Sequence, residues 1–497
     1  MTTLTETRTD QLTLDPENWA ELRALGHRML DDIFQHLETL RKQPAWQPMP
    51  AAVTQELNRS LPLQGQGAEE VYEEFLSNVL PYTSGNRHPR AWGWVRGNGT
   101  PLAMLADMLA SGINAHLGGG QQAPILVEKQ VIAWMAEVMG MPASSSGILT
   151  SGGTMANLIG LAVARHAKAG FDVRQEGLQG DHPQLLVYGS AETHMWARKS
   201  MELLGLGRRS LRRIAVDADH RIVVAELEKQ IAADRDAGHQ PIAVIANAGT
   251  VNTGAIDDIE ALLKVCRRED LWLHVDGAFG ALLKLSPRYS SLVRGIEKAD
   301  SLAFDMHKWM YLPFGIGCVL FRDAAEHSGT FATPANYLES AERGLLAGGM
   351  GFSDLGIELT RSFNALKLWM SLKAHGLETY SALIEQNVEQ VKHLASLIDQ
   401  HVDLQRMAPQ VMNVLCFRYA PPSYANDTEK LNALNREIVM RMQESGQFIV
   451  SGTVLNGEYA MRVANTNHRS RMEDFDALVA EVLLVGEELA FSEAEDA

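Results

Sequence analysis

The sequence predicts an α/β protein whose central sheet is mostly parallel and covered on both faces, followed by a smaller α+β unit. Two observations carry this. Between roughly Pro101 and Ala374, short continuous apolar runs alternate with amphipathic segments. Strands that are apolar throughout, rather than at every second residue, belong to sheets buried on both sides. From about Leu377 the order changes to a long helix, a strand, a helix, two strands and a final helix, which is an α+β pattern. At 497 residues the chain is also too long for one small core.

Residues 1–85 read as an N-terminal arm. From Pro16 to about Arg41, apolar residues recur at helical spacing (Trp19, Leu22, Leu25, Met29, Ile33, Leu37, Leu40). Such a stripe needs a surface to cover it, and a second subunit supplies one. The stretch from Gln43 to Gly67, with its prolines and glycines, reads as an irregular connector. In the large unit, residues 86–376, buried strands are predicted at Leu185–Tyr188, Ile242–Ala246, Leu271–Val275 and Gly317–Phe321, with helices after Thr154, Thr193, Asp257 and Phe363. In residues 377–497 the expected elements are a long helix, a strand near Val414–Phe417, a helix around Leu431–Met442, two strands within 448–463 and a closing helix.

Composition narrows the function. A net charge of −17 opposes binding to nucleic acid or an anionic membrane surface, so a small molecule is the expected partner. No apolar run reaches the length that spans a bilayer, and Met1–Thr13 is polar, without the apolar core of a secretory signal. Cys266, Cys318 and Cys416 are widely spaced and form no metal-ligand pattern. They read as buried thiols of a cytoplasmic protein.

The chemistry gathers on a few residues. Lys308 lies in Asp305-Met306-His307-Lys308-Trp309, and Asp276 ends the apolar run Trp272-Leu273-His274-Val275. A lysine able to form a Schiff base, with a strand-end carboxylate able to pair with a pyridinium nitrogen, is what pyridoxal 5′-phosphate chemistry requires. The aromatic neighbours His307 and Trp309 suggest a desolvated amine. Thr150-Ser151-Gly152-Gly153-Thr154 places a glycine pair before a helix, where backbone N–H groups hold a phosphate; Thr154 as an ordinary N-cap is the plainer reading. His194, after the Leu185–Tyr188 strand, suits stacking on a flat heteroaromatic ring and proton transfer, or else is a satisfied core histidine. Thr250, after the Ile242–Ala246 strand, suits a hydrogen bond to a ring oxygen, or else closes a turn.

These residues resemble the group II pyridoxal-phosphate-dependent amino acid decarboxylases, the strongest marks being His274-Val275-Asp276-Gly277-Ala278 and His307-Lys308-Trp309. His88-Pro89 and the segment Pro101–Leu109 look like that family's substrate side. The resemblance implies the fold-type-I transferase architecture of aspartate aminotransferase and an obligate homodimer with active sites at the subunit interface. It implies Lys308 as the Schiff-base lysine, Asp276 on the pyridinium nitrogen and His194 over the ring. Thr250 and Ala278 would then lie near the cofactor, with Gly153, Thr154 and His307 around its phosphate. On the substrate side it suggests Trp92, Trp94 and Arg96, and Arg462 as a holder of the substrate carboxylate; Trp92 and Trp94 also suit interface packing, and Arg462 a domain-bridging ion pair.

One departure bears on the outcome. The family's loop tyrosine, which returns a proton after carbon dioxide leaves, has no counterpart in 339–354. Counting back from Leu366-Lys367-Leu368-Trp369 puts Phe352 near its place. Phenylalanine donates no proton, so the proton would come from water, His194, Lys308 or Tyr337. The expected reaction is decarboxylation of an L-amino acid, with aromatic substrates suggested by the two indoles. The alternatives are an oxygen-dependent aldehyde synthase, suggested by Phe352, and a decarboxylase of diaminobutyrate or an acidic amino acid, the latter suggested by Arg96. An aminotransferase and a non-catalytic scaffold on the same fold are the remaining readings.

Overall fold

The computed structural model describes residues 12–333, 343–345, 347, 351–424 and 427–495. Seven strands form the large sheet: β1 (Ser146–Thr150), β2 (Leu185–Ser190), β3 (Leu211–Ile214), β4 (Gln240–Asn247), β5 (Trp272–Asp276), β6 (Ser301–Asp305) and β7 (Gly317–Phe321), in the order β1-β7-β6-β5-β4-β2-β3. Neighbours from β3 to β6 pair in parallel, and β7 runs antiparallel between β1 and β6. This is the doubly covered, mostly parallel sheet that continuous apolar strands require. Strands β2, β5, β6 and β7 are buried at every residue. The expected strands are present, while β1, β3 and β6 were not anticipated: Ser146–Thr150 and Ser301–Asp305 are short and start on polar residues, and half of β3 is Arg.

A second sheet, β8 (Leu404–Arg406), β9 (Val414–Tyr419), β10 (Ser451–Leu455) and β11 (Glu458–Ala464), has the order β10-β11-β9-β8 and is antiparallel throughout. The helices Leu377–Gln400, Thr428–Glu444 and Met472–Glu495 accompany it. It has its own apolar core around Phe417, Phe448 and Phe475. Trp92 belongs to that core: it stacks on Phe475 with ring centroids 4.5 Å apart and donates from Nε1 to Ser470 Oγ. Trp92 is therefore packed within its own chain.

The arm helix runs Trp19–Thr39, capped by the Asn18 side chain, which accepts from Ala20 and Glu21 N–H. The stretch read as an irregular connector contains a helix, Ala51–Leu57, that buries Val53. Its single buried residue is too weak a pattern to announce a helix. All three cysteines are free and buried, and burial raises their thiol pKa values. Among the described residues no helix is long and apolar enough to cross a membrane.

Candidate active site

The carboxyl ends of the parallel strands open on a cavity of about 490 Å³ lined by Lys308, Asp276, His194, Thr250, Gly153, Thr154, Ala278, His307, Trp94 and Arg96. Open α/β sheets place ligand sites at this edge because the strand-to-helix turns converge there. Three residues of the sequence-derived set do not line it: Trp92, Arg462 and Phe352.

Asp276 is the last residue of β5 and is 7% exposed. Its Oδ2 accepts from Trp196 Nε1 at 2.5 Å; Oδ1 accepts from Ala278 N at 3.1 Å and Asn157 Nδ2 at 3.4 Å. All three donors are neutral, and Asp276 forms no ion pair among the described residues. Behind them runs a relay whose proton positions are fixed by its ends. Trp272 Nε1 donates to Ser301 Oγ, which serves His274 Nδ1; His274 Nε2 donates to Asn157 Oδ1, leaving the Asn157 amide to donate to Asp276 and to the Gly153 carbonyl. Burial holds His274 down to about 4, so the relay runs through a neutral ring. Gly160 is glycine because any Cβ would press on the His274 imidazole.

The helix Gly153–Lys168 starts at the glycine turn. Gly152 has φ 155°, a conformation open to glycine, and serves as N-cap without a side-chain bond. Thr154 is thus inside the first turn and not the N-cap of the plainer reading. The N–H groups of that turn lack intrahelical carbonyl partners, so they suit an anion.

Lys308 lies in the short helix Met306–Trp309, and its Nζ is 2.8 Å from Asp305 Oδ2. Trp309 turns the other way, donating to Asn387 Oδ1 from a fully buried position. The neighbour that decides the surroundings of Lys308 is thus a carboxylate and not the expected aromatic pair. Asp305 is 1% exposed, packs against Gly153 and Gly317, and keeps Oδ1 without a hydrogen bond. His307 Nδ1 bonds the Ile316 carbonyl at 3.0 Å, and burial lowers the ring's pKa against the opposing pull of Asp305. Sequence reasoning missed Trp196, Asn157 and Asp305. The available signals were their spacings: two residues after His194, four after Gly153, three before Lys308.

His194 Nδ1 accepts from Trp196 N at 3.3 Å, so the neutral ring carries its proton on Nε2. Its pKa is lowered by burial, which outweighs the attraction of Asp276. Thr250 accepts from Ala255 N at 3.1 Å and meets Thr253 Oγ1 at 3.1 Å; it closes its turn and still lines the cavity.

The three outlying residues have other partners. Phe352, 3% exposed, lies under Arg361, whose guanidinium carbon is 5.2 Å from the ring centroid and which bonds the buried Glu128. Phe352 is not among the residues of its own chain that line the cavity; Tyr337 lies outside the described residues. Arg462 is 3% exposed and donates from Nε to the Asn252 carbonyl at 2.9 Å, with burial lowering its pKa to about 10. It bridges the small sheet to the loop after β4 by a hydrogen bond, not by an ion pair. Trp94, about half exposed, remains at the cavity with Arg96 stacked 4.3 Å over its ring.

The donor set fits pyridoxal 5′-phosphate. A buried carboxylate held by neutral N–H groups suits a protonated ring nitrogen, a glycine turn before a helix suits a phosphate, and an amine opens on the same cavity. A pyridoxal-dependent decarboxylase conserved-domain model matches residues 50–420. An aromatic-L-amino-acid decarboxylase of Bacillus atrophaeus is 33% identical, over 95% of this chain and 97% of its own. A phenylacetaldehyde synthase of Arabidopsis thaliana is 26% identical over 91% and 93%. In three dimensions, Oryza sativa TDC solved with PLP and tryptamine superposes with a TM-score of 0.88, covering 96% of this chain and 100% of that one at 24% identity. With the family model spanning most of the chain and a relative similar almost end to end, the chain belongs to the pyridoxal-phosphate-dependent amino acid decarboxylases.

Proposed function

We propose that this decarboxylase acts on aromatic L-amino acids, releasing the amine and carbon dioxide. The observation that carries the reading is the lining of the cavity, in which Trp94 and Phe279 join Lys308 and His194. Arg96, the one feature that suited an acidic substrate, stacks on Trp94 and completes a flat wall. The names of the two curated relatives, one an aromatic decarboxylase and one a phenylacetaldehyde synthase, point the same way.

When bound, pyridoxal 5′-phosphate supplies the electron-accepting ring that makes loss of the carboxylate possible. Lys308 would hold it covalently, Asp276 would keep its ring nitrogen protonated, and the turn Gly152–Thr154 with His307 would hold its phosphate. His194, with Nε2–H free, would cover the ring and hold a proton beside the reacting carbon. Thr250 and Ala278 would border the ring.

A second copy of the chain is the proposed partner. The arm helix leaves Trp19 60% exposed and Leu22 and Met29 partly so, and a cavity of about 670 Å³ lined by Met29, Ile33, Val71, Tyr72 and Phe75 lies along it. Apolar surface of this kind calls for a partner. Free, buried thiols support a reducing, cytoplasmic setting.

The test is a decarboxylation screen over the common amino acids and their ω-amino relatives, recording amine, carbon dioxide, dioxygen and peroxide. Turnover of phenylalanine, tyrosine or tryptophan without peroxide is expected. Turnover confined to glutamate, aspartate or diaminobutyrate would overturn the substrate class, and stoichiometric peroxide would establish the aldehyde synthase instead.

A further inference from the structure

Arg87 and Arg469 line one cavity of about 240 Å³. Arg87 meets only the His36 ring, at 3.2 Å, and Arg469 donates to the Asn98 carbonyl at 3.2 Å. Neither has an ion-pair partner among the described residues. Burial lowers the pKa of both, and the charge of Arg87 lowers that of Arg469 further, to about 10. Two neighbouring arginines show the contrast: Arg41 and Arg90 both pair with Asp474, at 2.7 and 2.9 Å. The chain holds 61 acidic against 44 basic residues, so a lack of acids does not explain the unpaired couple. Half-buried like charges facing one space are costly until an anion joins them.

The same cavity is lined by Leu37, Met104, Leu312 and Phe314, which suit a small apolar group. Two unpaired guanidinium groups and an apolar wall together suit a carboxylate that carries an apolar body, as an apolar α-amino acid does.

We propose that this cavity binds an apolar α-amino acid at a site separate from the decarboxylation pocket, with the carboxylate on Arg87 and Arg469 and the side chain on the Met104–Phe314 wall. The product amine, lacking the carboxylate, is excluded. The two sites share a thin partition. Gly97 packs so closely on the His307 carbonyl that any Cβ would overlap it, Arg96 beside it lines the larger cavity, and the Phe314 ring stands 5.4 Å from that of His307. Occupancy therefore touches the wall of the catalytic site. The proposal is independent of which substrate is decarboxylated.

The experiment uses holoenzyme reduced with borohydride, so that turnover is blocked, titrated calorimetrically with L-leucine, L-phenylalanine and the corresponding amines. Saturable binding of the amino acids is expected, weakened about tenfold or more in Arg87→Gln, abolished in Met104→Trp, which fills the cavity from its apolar side, and absent for the amines. Binding unchanged in both variants would overturn the proposal, as would no saturation up to roughly 20 mM. A drop in the sedimentation coefficient of Arg87→Gln with amino-acid binding intact would also overturn it, since a carboxylate of a second copy would then be the partner of the arginines.

Discussion

Trp196 donates its indole N–H to Asp276 Oδ2 at 2.5 Å, and both side chains are buried. The contact joins the segment after β2 to the end of β5 and fixes the carboxylate proposed to pair with the cofactor's ring nitrogen. Trp196→Phe keeps the ring and removes the donor, and a hydrogen bond to a charged group contributes about 1.5–3 kcal/mol. The variant should bind pyridoxal 5′-phosphate about tenfold more weakly, read from cofactor titration of the apoenzyme. Asp276→Ala should lose turnover with an unchanged circular dichroism spectrum; near wild-type turnover in it would refute the role given to Asp276.

Lys308→Ala should lack the visible band that borohydride bleaches in the wild type. Retention of a borohydride-sensitive band in the variant would place the covalent attachment on another lysine.

Phe352 offers a test of the structure against the alignment. It is buried under Arg361 and does not line the cavity of its own chain, so Phe352→Tyr should leave the ratio of amine to peroxide unchanged. The added hydroxyl, buried without a partner, should lower stability by about 1–3 kcal/mol in urea unfolding. A shift of product ratio towards amine would return this position to the catalytic loop.

Three buried histidines, His88, His274 and His327, and the partly buried His468 are held down to about 4 by loss of water, against about 6.5 in an unfolded chain. Because the unfolded state takes up the proton first, their contribution to stability is complete above pH ~6.5 and is lost as pH falls from there towards 4. Unfolding free energy should therefore decline through this window. His327→Gln, at a ring hydrogen-bonded to Ser146 and the Leu355 carbonyl, should shed about one proton of that dependence while being less stable at pH 8. An unchanged pH slope would show that His327 is not neutral in the fold.

His194 acts by the same sign. Burial lowers its pKa, so the neutral ring with its proton on Nε2 should persist below the ordinary histidine range, and the acid limb of kcat/KM should lie lower than pH ~6.5. In His194→Gln that limb should vanish along with most of the activity; a limb that persists belongs to another group.

What the sequence by itself determined is what local pattern encodes: apolar runs buried on both faces, the glycine pair opening a helix, an aspartate closing one of the apolar strands, and a lysine set between aromatic residues. Those features fix side-chain position relative to the nearest strand or helix terminus, so Lys308, Asp276, His194, Thr250, Gly153 and Thr154 were legible as one set. The tertiary structure alone decided which more distant groups meet them. Trp196 and Asn157 reach Asp276 from helices 80 and 119 residues before it, Asp305 turns its carboxylate back onto Lys308 three residues on, Trp92 and Arg462 were drawn into the small sheet's core and its bridge, and Phe352 was buried on Arg361. In each case the residue type was uninformative, because an indole, a guanidinium or a phenyl ring is equally at home in a pocket or a core. Which of the two it joins depends on packing against elements that no local spacing can specify.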